Sequence, residues 1–138
     1  MSTEREESFG GVVVRGDEVL VITPAGRPHV ATLPKGGPRA GESPEATAAR
    51  EVREETGVEA RIRARLGDVR YRYKRGGVRV FKTVGFYLCD YVSGDTSDHD
   101  HEVDEARWMP LEAARTELTY PGEREMIERA LSKHGGGM

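Results

Sequence analysis

Three glutamates lie close together in the chain, in a spacing that suits metal binding. Glu51, Glu54 and Glu55 fall within one short stretch that ends at Gly57. On a helix, residues three and four positions apart share a face, so these carboxylates would point together. Carboxylates at that separation repel one another unless cations lie between them. Hard oxygen ligands favour Mg²⁺, with Mn²⁺ as an alternative.

A glutamate-rich helix face is more often a solvated surface carrying arginine pairs, and Arg50 stands four residues before Glu54. The wider spacing argues against that interpretation. The segment satisfies every fixed position of G-x5-E-x7-R-E-U-x-E-E-x-G-U, where U is aliphatic. A chance match has a probability of about one in a billion per starting position. The matching residues are Gly36, Glu42, Arg50, Glu51, Val52, Glu54, Glu55, Gly57 and Val58.

This pattern is the Nudix box, and the chain resembles a Nudix hydrolase over these residues. The resemblance implies an α/β fold, the Nudix α/β/α sandwich, in which a mixed β-sheet lies between helices. It also implies metal-dependent cleavage of a pyrophosphate bond in a nucleoside diphosphate-linked substrate, by attack of water on phosphorus. Such chemistry needs cations that neutralise the phosphate oxygens, and it needs no covalent nucleophile.

Position within the box assigns the expected roles. The implied catalytic residues are Glu42, Arg50, Glu51, Glu54 and Glu55. Three of these glutamates, Glu51, Glu54 and Glu55, are the implied metal ligands, together with the backbone carbonyl of Gly36. Glu51 is also the candidate base, while Glu42 and Arg50 would position the ligating carboxylates.

One further metal ligand is expected outside the box. Nudix enzymes often supply an acidic residue from a loop before a tryptophan-containing strand, and Glu102 lies six residues before Trp108. Glu102 matches the glutamate of a Glu-His pair in dinucleoside polyphosphate hydrolases. The sequence departs from that pair, because Val103 replaces the histidine and His101 precedes the glutamate.

Four residues are candidates for substrate binding. The segments around Lys35 and Lys82 are similar to segments in Nudix enzymes that split diadenosine tetraphosphate, so both lysines would bind a phosphate chain. Tyr71 and Tyr73 stand where that group has a tyrosine, and a tyrosine can stack on a base of any identity. Ordinary cross-strand packing explains the two tyrosines equally well.

The substrate stays open at this point. A dinucleoside polyphosphate is the first expectation, and a nucleoside triphosphate of the kind cleaved by MutT, including oxidised nucleotides, is the second. Inositol pyrophosphates are a third. A non-catalytic Nudix-like sensor is less favoured, because such proteins usually lose box carboxylates and this chain retains them all.

The elements around the box are predicted from caps, turns and periodicity. Ser43 and Gly57 are good N-cap and C-cap residues, which predicts a helix over Pro44–Thr56. Strands are predicted at Phe9–Val14, Glu18–Thr23, Val30–Leu33, Ala60–Tyr73, Val78–Tyr91 and Ala106–Met109, with a loop at Pro34–Ser43 and a polar acidic loop at Ser93–Asp104. Two further helices are predicted at Leu111–Leu118 and Gly122–Lys133.

Length and charge limit the remaining possibilities. The 138 residues predict a single domain over 1–138, with about 1–8 and 134–138 disordered. A net charge of -3 favours a small nucleotide over a nucleic acid polymer as the binding partner. The sequence has no apolar run long enough to predict a membrane helix. Cys89 is the only cysteine, which excludes an intramolecular disulfide and favours the cytoplasm, with Cys89 in the core. The protein could be a monomer or a homodimer.

Overall fold

The computed structural model describes residues 2–134. Its elements are β1 Thr3–Arg15, β2 Glu18–Pro24, β3 Lys35–Gly36, α1 Pro44–Thr56, β4 Val58–Arg75, β5 Val78–Gly94, β6 Val103–Pro110, α2 Leu111–Glu117 and α3 Pro121–His134. A 3-10 turn, Thr96–Asp98, lies between β5 and β6. Within the described residues, no helix is both long and apolar enough to cross a membrane.

The strands form one mixed sheet in the order β4-β5-β1-β2-β6, and the short β3 pairs with β1. β1 runs parallel to β5 along most of its length, whereas the other pairs are antiparallel. The hairpin of β4 and β5 places Tyr71 opposite Lys82. The predicted mixed sheet is confirmed.

Alternating valines on β1 divide the core between the two faces of the sheet, as a strand with both faces buried requires. Val12 and Val14 pack on one face in the cluster that contains Met126 and Ile127 of α3. Val13 packs on the other face, in the cluster that contains Val52 of α1. Helices therefore cover both faces, which confirms the predicted α/β/α sandwich.

Helix α1 has the bounds that its caps predict. The Ser43 hydroxyl accepts a hydrogen bond from the Ala46 N–H at 3.1 Å, and Gly57 adopts a left-handed conformation with φ of 79°. The Gly57 N–H donates to the Arg53 carbonyl, which closes the C-terminus. Good local capping fixes where this helix begins and ends, and so fixes the spacing of its glutamates.

The prediction of a strand at Val30–Leu33 is wrong. Only Thr32 forms a bridge there, to Ile22, while the Val30 N–H turns back to the Arg27 carbonyl. Pro34 also lacks the N–H that a continuing ladder needs. The predicted loop at Pro34–Ser43 instead begins with β3, Lys35–Gly36, which pairs with β1.

Secondary structure extends close to both ends of the described residues, and the predicted disorder of about 1–8 and 134–138 stays a prediction. Strand β1 begins at Thr3 and pairs there with Arg79 of β5. His134 belongs to α3, and its Nε2 lies 2.8 Å from the Gly16 carbonyl oxygen. Residues 1 and 135–138 lie outside the described part of the chain. Cys89 is fully buried as predicted, and burial raises the pKa of its thiol to about 12.

Candidate catalytic site

The Arg50 side chain connects the carboxylates of the box. Its Nε and Nη2 donate to the two oxygens of Glu42 at 2.8 and 2.9 Å, and Nη2 also donates to the Gly37 carbonyl at 2.9 Å. Its Nη1 lies 3.3 Å from Glu51 Oε1 and 3.2 Å from both oxygens of Glu54. One buried guanidinium therefore fixes three glutamates relative to one another.

The hydrogen-bond partners of Glu42 stabilise its ionised form. Besides Arg50, it accepts the Arg39 N–H at 3.0 Å and the Thr47 hydroxyl at 2.7 Å. These hydrogen bonds, with those from Arg50 the strongest, hold the pKa of Glu42 far below its ordinary value. The Glu42 carboxylate is thus a fixed anchor for Arg50, and it has no oxygen left without a partner.

In contrast to Glu42, the pKa values of Glu51 and Glu55 are raised. Burial raises the pKa of Glu55 to about 8, although its Oε1 accepts the Lys35 N–H at 2.8 Å. Burial also raises the pKa of Glu51, against the lowering effect of Arg50, and the charges of Glu54 and Glu102 add to the rise. Both carboxyl groups are held where a negative charge is poorly compensated.

Gly36 lies directly against Glu51. A Cβ built on Gly36 would coincide with the Glu51 carboxylate, whereas a Cβ on the next residue, Gly37, would meet nothing closer than the Glu7 carbonyl oxygen at 4.0 Å. Because Gly36 has no side chain, the Glu51 carboxylate can lie directly beside the backbone of β3. Gly36 and Glu51, both predicted to bind the metal, are therefore neighbours.

The donor set fits a hard divalent cation, because half-buried carboxylates with raised pKa values lack a compensating positive charge. Within residues 2–134, however, no three His, Cys, Asp or Glu side chains converge in a metal-binding arrangement. Arg50 engages Glu51 and Glu54 instead. Exposed Glu102 lies in the loop before β6, near enough for its charge to act on Glu51.

All four predicted substrate-binding residues line one cavity of about 470 Å³, which also has residues that the sequence did not single out. Its lining consists of Arg27, Lys35, Tyr71, Arg72, Tyr73, Lys82 and Tyr120. Lys35 joins this cavity to the carboxylates, since its backbone N–H bonds to Glu55. Four cations and three aromatic rings make the cavity suitable for a phosphorylated aromatic ligand.

The two predicted tyrosines differ in their surroundings. Tyr71 is half-buried against the core and meets the Tyr120 ring edge-on, with 6.1 Å between ring centres. Its buried hydroxyl has no hydrogen-bond partner among the described residues, and burial raises its pKa. Tyr73 is exposed, and its hydroxyl donates to Glu6 at 2.6 Å. Packing accounts for much of the position of Tyr71, whereas Tyr73 is 40% exposed.

The cavity residues that sequence reasoning missed are Arg27, Arg72 and Tyr120. Arg27 and Tyr120 come from separate loops, and the Arg27 Nη2 donates to the Tyr120 hydroxyl at 3.2 Å. No local pattern relates two such loop residues. Glu123, fully buried beneath Lys35, could have been found, because it stands on the apolar face of α3 with Met126 and Ile127.

Comparison with known proteins agrees with this geometry. The NUDIX domain profile matches residues 4–130. The chain is 39% identical over 139 residues to the putative mutator protein MutT4 of Mycobacterium tuberculosis (strain CDC 1551 / Oshkosh), covering 94% of this chain and 56% of that protein. It is 38% identical over 102 residues to the 8-oxo-(d)GTP phosphatase of Mycolicibacterium smegmatis, covering 74% of this chain and 30% of that protein.

Among solved structures, a C. elegans Ap4A hydrolase binary complex matches with a TM-score of 0.74 at 24% identity, covering 96% of this chain and 99% of that one. That likeness shows the fold. The chain belongs to the Nudix family. It spans about half the length of the first curated relative and under a third of the second.

Proposed function

We propose that this protein is a magnesium-dependent pyrophosphohydrolase whose substrates are dinucleoside polyphosphates such as diadenosine tetraphosphate. The observation that carries the proposal is the cavity of four cations and three tyrosines beside the Nudix carboxylates. A substrate with a long phosphate chain and an aromatic base suits both kinds of side chain. An inositol pyrophosphate would leave the tyrosines without an aromatic partner.

The metal would be held by Glu51, Glu54 and Glu55 with the carbonyl of Gly36, and Glu102 would add a ligand from its loop. A bound divalent cation neutralises phosphate oxygens and lowers the pKa of a coordinated water. Nudix hydrolases in general use divalent metals, and Mg²⁺ is proposed here because the donors are all oxygens.

Other residues would orient the carboxylates, accept a proton and bind the substrate. Glu42 holds Arg50, and Arg50 in turn orients Glu51 and Glu54. Arg50 bonds to Glu51 Oε1, so Glu51 Oε2, next to Gly36, is the oxygen proposed to accept the proton of the attacking water. Lys35 and Lys82 would bind phosphate oxygens, and Tyr73 would stack on the base.

Lys82 suits a phosphate site because it is half-buried and close to another cation. Burial lowers the pKa of its amine, and the charge of Lys35 lowers it further. An anion bound between the two lysines would relieve both effects. Lys82 forms no salt bridge with another residue of 2–134, and the charge of Glu6 offsets part of the lowering of its pKa.

A second candidate substrate is a nucleoside triphosphate, including an oxidised one. The specific observation that favours it is the 38% identity to a relative named 8-oxo-(d)GTP phosphatase. The same cavity would hold the triphosphate on its lysines, with the base among the tyrosines. Cytoplasmic location and oligomeric state stay predictions.

Product analysis separates the two candidates. The protein is incubated with Mg²⁺ and either diadenosine tetraphosphate or a panel of nucleoside triphosphates, including oxidised ones. ATP together with AMP from the dinucleotide supports the first candidate. Monophosphate and pyrophosphate from the triphosphates, with the dinucleotide left intact, would replace it by the second.

Glu54→Gln tests the metal site in the same assay. The variant should lose turnover while its fold remains, because Glu54 is half-exposed and Gln keeps its shape. Glu45→Gln is the matched control, since Glu45 is an exposed residue of the same helix. Activity that survives in Glu54→Gln would show that the assigned metal site is wrong.

A further inference from the structure

Glu54, one of the proposed metal ligands, accepts hydrogen bonds from two arginines. Its Oε1 accepts Arg39 Nη2 at 2.9 Å and Arg50 Nη1 at 3.2 Å, and its Oε2 accepts Arg50 Nη1 at 3.2 Å. Both oxygens of this carboxylate are therefore paired with positive charge. A divalent cation that uses Glu54 as a ligand has to share or replace these partners, because each arginine repels a second cation on the same carboxylate.

The Arg50 side chain is held too firmly to be the partner that leaves. It is 9% exposed, and it also donates to both Glu42 oxygens and to the Gly37 carbonyl. Moving the guanidinium would break these hydrogen bonds and would leave the Glu42 carboxylate, which is only 15% exposed, without its strongest donors. Arg50 therefore stays in place when a cation binds.

Arg39 is the more weakly held of the two partners. Its side chain is 67% exposed, and within residues 2–134 it forms a salt bridge with Glu54 and with no other residue. An ion pair this exposed contributes little to stability, because water and salt screen it and both side chains lose conformational freedom. The Arg39 guanidinium can therefore leave Glu54 at low cost.

The backbone around Arg39 is fixed although its side chain is exposed. The Glu42 N–H donates to the Arg39 carbonyl at 3.0 Å, and the Arg39 N–H donates to the Glu42 carboxylate at 3.0 Å. Gly41 lies within this turn at a φ of 77°, a conformation that favours glycine. The turn keeps the Arg39 side chain within reach of Glu54, so the ion pair can form again when a cation leaves.

We propose that Arg39 competes with the divalent cation for Glu54, and so sets the metal concentration at which the catalytic site assembles. The proposal rests on the proposed function, which makes Glu54 a metal ligand. Without a cation, Arg39 and Arg50 neutralise Glu54, and no three metal-binding side chains converge within residues 2–134. Cation binding displaces Arg39 and leaves Arg50 in place. Arg39 is thus a positioning residue that acts through Glu54.

Metal affinities of variants test this competition without substrate or turnover. Each protein is titrated with Mn²⁺ at constant ionic strength, and the free ion is measured by electron paramagnetic resonance. Mg²⁺ affinities follow from displacement of the bound Mn²⁺. Arg39→Gln should tighten Mn²⁺ binding about threefold, which is within the range expected for removal of an exposed ion pair. Arg39→Lys keeps the positive charge and should bind Mn²⁺ within about 1.5-fold of the wild-type affinity.

Arg53→Gln is the matched control for charge. Arg53 belongs to the same helix as Glu54 and is 54% exposed, but it pairs with Glu59 at 3.8 Å and not with a carboxylate of the Nudix box. Its loss removes one positive charge and leaves the partners of Glu54 in place. Arg53→Gln should therefore change the Mn²⁺ affinity by less than about 1.5-fold.

Thermal stability gives a second measurement of the same competition. With a chelator present, Arg39→Gln should lower the melting temperature by about 2 °C, because Glu54 loses a partner. With saturating Mg²⁺ the variant and the wild-type protein should melt at the same temperature, because the cation has already displaced Arg39. Both measurements depend on one free-energy difference, so they must agree.

Each outcome of these measurements has a definite meaning. Tighter binding in Arg39→Gln alone, with a stability difference that disappears in Mg²⁺, supports the competition. Unchanged or weaker binding in Arg39→Gln, equal tightening in Arg53→Gln, or a stability difference that persists in Mg²⁺ overturns it. Wild-type protein that binds no Mn²⁺ would overturn the proposed metal site and this inference with it. Failure of metal-binding wild-type protein to cleave diadenosine tetraphosphate would overturn the proposed substrate alone.

Discussion

At the scale of single residues, Glu42 shows how a charge can be structural within a catalytic sequence motif. Its two oxygens accept hydrogen bonds from the Arg50 side chain, the Arg39 N–H and the Thr47 hydroxyl. Glu42 therefore orients Arg50, which in turn bonds to the other glutamates. A carboxylate with this many donors is stabilised in its ionised form. Its contribution should therefore appear in stability and should depend on pH.

We expect Glu42→Gln to lower the melting temperature at pH 7, and by less at pH 3. The folded pKa lies far below the ordinary value of 4.5, so the contribution is complete above about pH 4.5 and declines as pH falls towards the folded pKa. Thermal unfolding of both proteins across this range measures it. Glu45→Gln provides the comparison, and a Glu42→Gln difference that stays constant from pH 7 to pH 3 would contradict the prediction.

Gly36 offers a second test at this scale. A methyl group at Gly36 would occupy the position of the Glu51 carboxylate, so Gly36→Ala should displace that side chain and lower kcat about a hundredfold. Gly37→Ala is the neighbouring control, because its Cβ would meet only the Glu7 carbonyl oxygen, at 4.0 Å. Steady-state kinetics with circular dichroism measures both. Equal activity in the two variants would mean that Glu51 has another working position.

At the scale of elements, α3 supports the segment that leads into the site. The fully buried Glu123 carboxylate accepts the Thr32 hydroxyl at 2.8 Å and the Leu33 N–H at 2.9 Å, and it lies 4.0 Å from Lys35 Nζ. Lys35 then bonds through its backbone to Glu55. Glu123 thereby connects α3, on one face of the sheet, to the carboxylates of α1 on the other face.

Glu123→Ala should reduce the free energy of unfolding by about 3 kcal/mol, since it leaves buried donors without an acceptor. Glu125→Ala, on the exposed side of α3, should change it by less than about 1 kcal/mol. Urea denaturation of both variants gives the comparison. If Glu123→Ala proves no more destabilising than Glu125→Ala, the buried network contributes little to the fold.

Elements also show what could be predicted from the sequence and what could not. Caps at Ser43 and Gly57 are local signals, so the bounds of α1 and the shared face of its glutamates were predictable. The start of β1 at Thr3 and the pairing of Lys35 with Gly10 depend on partners distant in the chain. Tyr120 reaches the cavity only because α3 packs beside β4, which no local pattern encodes.

At the scale of the whole molecule, charge is segregated rather than spread. The hairpin from Val69 to Cys89 has only cations, while acidic residues predominate between Asp95 and Glu105. The Nudix carboxylates form a second negative region, in which the charges of the half-buried Glu51 and Glu55 are poorly compensated. A divalent cation would therefore stabilise the whole fold as well as act in catalysis.

Mg²⁺ should raise the melting temperature of the wild-type protein. A ligand at about ten times its dissociation constant stabilises the folded state by about 1.4 kcal/mol, which for a chain of this size is a rise of about 4 °C. Glu54→Gln should lose most of this rise, whereas Glu45→Gln should keep it. Differential scanning fluorimetry at constant ionic strength measures the effect without any substrate. An equal rise in wild-type and Glu54→Gln proteins would mean that the cation binds at another site. The acidic loop between Asp95 and Glu105 is the alternative site in that case.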